Sequence, residues 1–124
     1  MNRILVIGDT IIDEEIHSIA TGLSLESPTI KADLVSTRWL LGGAANLVKH
    51  LRRFTKNIDF FTSVKKPGLE MLSELGINIL NFSKSQTNIK SRYWIKNGDS
   101  EYKILQINHA KVLNYDKEIF SEFR

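Results

Sequence analysis

Cysteine is absent from the 124 residues, so no disulfide framework, thiolate metal site or cysteine nucleophile is open to this chain, and a reducing compartment suits it. The two prolines, Pro28 and Pro67, both act as punctuation between patterned segments. His17, His50 and His109 stand at no metal-ligand spacing with one another or with a carboxylate, so no metal site is expected and the three belong at ordinary surface or edge positions. No apolar run approaches a bilayer-crossing helix. The longest near the start, Ile4 to Ile7, is preceded by nothing resembling a secretory signal, so the expected location is cytoplasmic with no membrane partner. No internal repeat, low-complexity stretch or linker interrupts the chain. Two nucleotide signatures are also missing. After the first strand only Gly8 stands where a dinucleotide site needs three spaced glycines, and no Gly-Lys-Ser/Thr follows Gly42-Gly43, as a Walker-type loop would require.

What remains is an ordinary globular composition, 42% hydrophobic and 25% charged, in a length that makes one domain with one core. The net charge of +3 is mild. Its one compact concentration is Lys49, His50, Arg52, Arg53 and Lys56, read as a solvated helix face. Without aromatic interleaving or a known binding motif, no nucleic-acid partner is expected.

Asn2 to Gly8 reads as a buried parallel strand, because Ile4, Leu5, Val6 and Ile7 run without a polar break. Ile12 to Ala20 and Pro28 to Leu40 contain period-2 stretches such as Thr29 to Val35, predicting an antiparallel flap around a turn at Thr21 to Pro28. Ala44, Leu47, Val48 and Leu51 make one apolar face of an amphipathic helix over Ala44 to Phe54. A strand over Ile58 to Ser63, a short helix over Leu69 to Leu75 with Gly76 as its C-cap, and a strand over Ile77 to Phe82 complete a strand-helix alternation. Ile89 to Lys96 and Tyr102 to Asn108 flank Asn97-Gly98-Asp99-Ser100, a hairpin signal resting on the Asn-Gly pair. A further helix is expected to begin at Asp116.

Asp9 and Asp13 follow the first strand at the edge where open parallel sheets bind ligands, and a carboxylate there can accept hydrogen bonds from adjacent hydroxyls of a sugar. The bland alternative is a strand-exit cap and a solvated side chain. Gly42-Gly43-Ala44-Ala45-Asn46 opens a helix with amides a ligand can approach closely, and Asn46 offers both a donor and an acceptor. Equally, the glycines could serve only tight helix-sheet packing. Lys90 and Arg92 share one face of the hairpin's first strand, where they could hold a substrate phosphate or act as edge-strand charges that deter aggregation.

The order strand-Gly8-Asp9-x-x-x-Asp13, two-stranded flap, Gly42-Gly43-Ala44-Ala45-Asn46 and second flap hairpin resembles the N-terminal part of the ribokinase (PfkB) family of carbohydrate kinases. Ser27-Pro28, Thr87, Lys90 and Arg92 are supporting matches over residues 2 to about 115, and the nearest look is to heptose-7-phosphate kinases and the kinase domain of ADP-heptose synthesis. The resemblance implies an α/β fold, a mostly parallel sheet flanked by helices with a protruding antiparallel β lid, here the N-terminal half only. It makes residues 1–124 a single truncated domain with lid segments at about 12–40 and 89–109. It also implies that Asp13, Gly42, Gly43 and Asn46 contact sugar hydroxyls, that Lys90 or Arg92 holds a phosphate, and that the lid pairs with a second copy as a dimer. Ile30, Leu34, Trp39, Tyr93, Trp94 and Ile104, apolar and without obvious cover, motivate that dimer.

The departures bear on activity. Ser63-Val64-Lys65-Lys66-Pro67-Gly68 replaces the family's Gly-x-Asp-x-x-Gly, Asn108 stands where the heptose kinases tend to carry an aspartate, and no Gly-Ala-Gly-Asp segment occurs. No catalytic residue and no cofactor site is therefore assigned to this chain; ATP and magnesium are expected for the complete family enzyme. The reading is the sugar-binding half of a carbohydrate kinase, incomplete for phosphoryl transfer alone. It would be a remnant, a truncated copy, or one chain of a split kinase whose second chain carries the ATP half. The rival is a non-catalytic interaction protein that dimerises through its lid strands.

Overall fold

The computed structural model describes residues 2–82 and 87–109; the helix expected from Asp116 lies outside them. Nine elements follow in order: β1 (Ile4–Ile7), β2 (Thr10–Leu23), β3 (Ile30–Gly43), α1 (Ala44–Leu51), β4 (Ile58–Thr62), α2 (Gly68–Ser73), β5 (Asn78–Asn81), β6 (Asn88–Asn97) and β7 (Ser100–His109). The chain is α/β, with a three-stranded sheet ordered β1-β4-β5 and a four-stranded sheet ordered β3-β2-β6-β7. It divides into two compact units, and the described second unit is Ile12–Leu40 with Ile89–His109.

In the first unit β1, β4 and β5 are all parallel, with Val6 opposite Phe60 and Phe60 opposite Ile79. The central strand, β4, gives the core three residues: Ile58, Phe60 and Phe61 are buried, joined by Val6, Val48, Val64 and Leu72. Burying a side chain such as Phe60 is worth up to about 3 kcal/mol. The face of α1 that meets the sheet is Ala45 and Val48. Its helical period places them on one side and His50 on the other.

Two expectations are corrected here. β1 is not buried on both faces: Val6 is buried, but Leu5 and Ile7 are 48% and 47% exposed. Alternate side chains leave a strand on opposite faces, and no described element covers the second. The helix predicted to reach Phe54 ends at Leu51. Its last turn tightens, with Arg53 N–H bonding His50 C=O and Phe54 N–H bonding Leu51 C=O three residues back rather than four.

In the second unit the cross-strand partners Glu14 with Trp39 and Glu15 with Arg38 step in opposite directions along β2 and β3, as antiparallel neighbours must. β6 and β7 are antiparallel with an irregularity at Tyr93/Trp94. Glu14 with Ser91 and His17 with Trp94 step in the same direction, so β2 and β6 run the same way and the sheet is mixed. The tight turn sits one residue later than the Asn-Gly pair suggested. Asn97 pairs with Ser100 inside the ladder, and Gly98, with φ +62°, is the first of the two loop residues. That matches a turn with glycine first. A further correction concerns Lys90 and Arg92: β6 lies between β2 and β7, so the edge strands are β3 and β7 and the edge-charge reading does not hold.

Candidate functional site

β1 ends at Ile7, and the two residues after it organise the C-terminal edge of the parallel sheet. Gly8 N–H donates to Phe61 C=O at 3.1 Å, and Ala44 N–H donates to Asp9 C=O at 3.0 Å, so the start of α1 is tied to the exit of β1. Gly43 makes that join possible. It caps α1 with φ +59° and ψ −141°, a conformation essentially closed to residues with a side chain. A Cβ there would lie 2.7 Å from Asp9 O and 3.1 Å from the Ile11 side chain. Gly42 is buried, whereas Asn46, in the first turn of α1, is exposed. The glycines thus do serve tight packing, and the same packing leaves Asn46 presented at the edge where parallel sheets bind ligands.

Side chains fasten the loops along this edge. Thr10 and Thr62, both buried, share a hydroxyl pair at 2.9 Å, and Thr62 Oγ1 also accepts Thr10 N–H at 3.1 Å. Asn81 donates to Val64 C=O and accepts Val64 N–H, holding the chain after β4 with one amide. Thr87 Oγ1 accepts Lys65 N–H at 2.8 Å. Asn81 and Thr62 escaped sequence reasoning because a lone Asn or Thr at a strand end has no distinguishing spacing.

The second unit brings Asp13 and Arg92 together. Arg92 Nη1 donates to Asp13 Oδ1 at 2.7 Å, and each side chain keeps 24% of its surface. One guanidinium bond leaves most of the carboxylate's acceptor positions available for hydroxyls. Lys90, half-buried two residues before Arg92, stands opposite Asn108 in the β6–β7 ladder. Of the sequence-predicted residues, then, Gly42, Gly43 and Asn46 sit together in the first unit, and Asp13, Lys90 and Arg92 belong to the second.

Sequence reasoning missed the neighbouring carboxylates. Glu14 accepts from the Ser91 hydroxyl and from the Trp39 indole at 3.1 Å, and these bonds to its charged form, with a smaller attraction from His109, hold its carboxyl below the usual range. Arg38 does the same for Glu15. His17, expected to be an ordinary surface histidine, stacks on Trp94 with ring centroids 6.1 Å apart and meets Glu101 at 2.6 Å. A cavity of about 660 Å³ beside it is lined by His17, Ser36, Arg38, Lys96 and Glu101 and includes none of the expected sugar-binding residues. Among the described residues, no group of three His, Asp or Glu side chains could hold a metal ion. Among the described residues no helix is long and apolar enough to cross a membrane.

No protein-family model matches the sequence, and no curated protein matches it. Solved structures do. A candidate sugar kinase from Clostridium perfringens aligns with 99% of this chain and 40% of its own, at 14% identity and TM-score 0.68. The nucleoside kinase of Methanocaldococcus jannaschii, an archaeal member of the ribokinase family, aligns with 87% of this chain and 36% of its own, at 21% identity and TM-score 0.54. Phosphofructokinase-2 from Escherichia coli, in complex with fructose-6-phosphate, aligns with 98% of this chain and 40% of its own, at 12% identity and TM-score 0.56. At such identities the likeness establishes a ribokinase-like fold. The chain spans about two fifths of the length of these kinases.

Proposed function

We propose that this chain carries the acceptor-binding residues of a carbohydrate kinase-like protein, with a sugar or sugar phosphate of the heptose 7-phosphate type as ligand. The observation that supports this most is the construction of the sheet edge in the first unit. A glycine in a side-chain-excluding conformation closes α1 onto the strand exit and presents Asn46 there. Gly42, Gly43 and Asn46 would offer amides and an amide side chain to sugar hydroxyls. Asp13 would accept hydroxyl hydrogens, and Lys90 or Arg92 would hold a phosphate, Arg92 by sharing its guanidinium with Asp13. The reaction proposed for the complete protein is ATP-dependent phosphorylation of that sugar. ATP and magnesium would supply the phosphoryl group and charge neutralisation; the role proposed for the residues named above is acceptor binding.

Isothermal titration of the chain with heptose 7-phosphate and hexose phosphates tests this. Saturable heat is expected, weakened on the order of tenfold to a hundredfold by Asp13→Ala, the loss that follows from removing charge-assisted hydrogen bonds. Absence of heat with every sugar refutes it.

A second reading has its own observation. Ile30, Leu34, Trp39 and Ile104 are 51%, 66%, 48% and 49% exposed in the second unit, while Tyr93 and Trp94 are half-buried. Exposed apolar side chains on strands can mark interaction surfaces, and a homodimer through these strands would serve a kinase or a non-catalytic interaction protein alike. Sedimentation at increasing concentration should show a rising mass; a constant monomer mass removes the dimer.

A further inference from the structure

The cationic residues following α1 form a defined loop. Arg52, Arg53, Phe54, Thr55, Lys56 and Asn57 line a cavity of about 410 Å³, within the size range of small-ligand sites. This cavity lies at the start of β4, the end of the parallel sheet opposite the strand exit that carries Gly43. Its lining includes no carboxylate, and among the described residues neither Arg53 nor Lys56 forms an ion pair. Phe54, between those two cations in sequence, is 87% exposed. The sequence reading of this cluster as free of aromatics overlooked that residue.

The ordinary reason for basic residues at a helix C-terminus is to cap its last carbonyls and offset the negative end of the helix dipole. Here the backbone already does that work. Val48 C=O accepts Arg52 N–H, His50 C=O accepts Arg53 N–H, and Leu51 C=O accepts Phe54 and Thr55 N–H. The loop is also fixed in place: Arg52 Nε donates to Leu75 C=O, Thr55 Oγ1 accepts Asn57 N–H at 3.0 Å, and Ile58 N–H bonds Lys56 C=O at 2.8 Å. Among the described residues, two unpaired cations, a third held by its Nε with no partner at its terminal amino groups, and an exposed aromatic ring are left over on this turn.

We propose that this loop binds a nucleoside phosphate, with Arg53, Lys56 and the Arg52 terminal amino groups on the phosphate and Phe54 stacked on the base. A cation cluster alone would take any anion. An exposed ring beside it adds affinity only for an anion that carries a flat aromatic group, and stacking is tolerant of base identity. The site is independent of the sugar reading, because the two have no residue in common.

Isothermal titration of the full chain at low ionic strength, with AMP, inorganic phosphate and a short single-stranded oligonucleotide as probes, tests it. AMP is expected to bind saturably and more tightly than inorganic phosphate. Phe54→Leu should weaken AMP on the order of tenfold while leaving phosphate unchanged, and Arg53→Gln with Lys56→Gln should abolish both. Because these three side chains have no partner among the described residues, melting is expected to be unchanged, and that result confirms that the variants fold. Three results overturn the proposal: no saturable AMP binding, AMP and phosphate binding equally with no effect of Phe54→Leu, or the oligonucleotide binding more tightly than AMP through the same residues, which would make the loop a nucleic-acid surface.

Discussion

Replacing Gly43 with alanine isolates the feature on which the candidate site is built. Two costs add. The backbone at φ +59° and ψ −141° strains any residue with a Cβ by about 1–3 kcal/mol. The new methyl would then stand 2.7 Å from Asp9 O, a backbone atom that cannot swing aside without loosening its 3.0 Å bond from Ala44 N–H, worth about 1 kcal/mol. The reduced freedom of the unfolded chain returns about 0.4–1 kcal/mol. The net loss is about 1–4 kcal/mol, or roughly 4–16 °C in Tm at about 4 °C per kcal/mol. Gly98 supplies the control. Its φ of +62° is nearly the same, but a Cβ there meets nothing within 4 Å, so Gly98→Ala should bear the torsional strain without the close approach and cost about 1 kcal/mol less than Gly43→Ala. Urea and thermal unfolding followed by circular dichroism measure both variants. Equal losses would refute the close-approach argument, since only torsional strain would then matter. No loss at Gly43 would mean that α1 is not anchored to the strand exit as described.

Thr62→Val should destabilise by about 2–3 kcal/mol, because it leaves buried Thr10 N–H without its acceptor and the Thr10 hydroxyl without its partner; Thr62→Ser should restore most of it, and a fully stable valine variant in urea titration would contradict this. Asp13→Asn should change stability by under about 1 kcal/mol, the usual worth of a part-exposed ion pair, while sugar titration shows a clear loss; a large melting shift instead would make Asp13 a structural residue. Acid should weaken the second unit in a defined window. Glu14 has a folded pKa below its ordinary 4.5, so its stabilisation is complete above that value and is lost as pH falls through the lower folded pKa. The urea midpoint should therefore drop on acidification below about pH 4.5, and Ser91→Ala should make the drop shallower; an unchanged pH profile in Ser91→Ala would remove the Ser91–Glu14 bond as its cause.

Much of the fold is local enough to be read in one dimension. The apolar run of β1, the helical period that includes Val48, and the paired strands around Gly98 each express a preference carried by adjacent residues, although of the expected helix face Leu47 is 52% exposed and Ala45 is buried instead. The errors fall where a neighbour from elsewhere decided. Leu5 and Ile7 look as buried as Val6 in sequence, but burial depends on which face another element covers. Lys90 and Arg92 read as edge charges until β2 is placed beside β6. The Asn-Gly pair announces a turn, yet the pairing register of β6 with β7 moved the loop to Gly98 and Asp99.

The candidate site divides in the same way. Sequence by itself determined that glycines and Asn46 open a helix after the flap and that an acidic residue follows the first strand, because glycine tolerance and helix periodicity are properties of short segments. Only the tertiary structure decided that Gly43 is obligatory against Asp9 O, that Asp13 is matched with Arg92, and that Glu14 is held ionised by Ser91 and Trp39. Those outcomes depend on distances between atoms far apart in the chain, and a close approach or a charge pairing has no value until folding sets that distance.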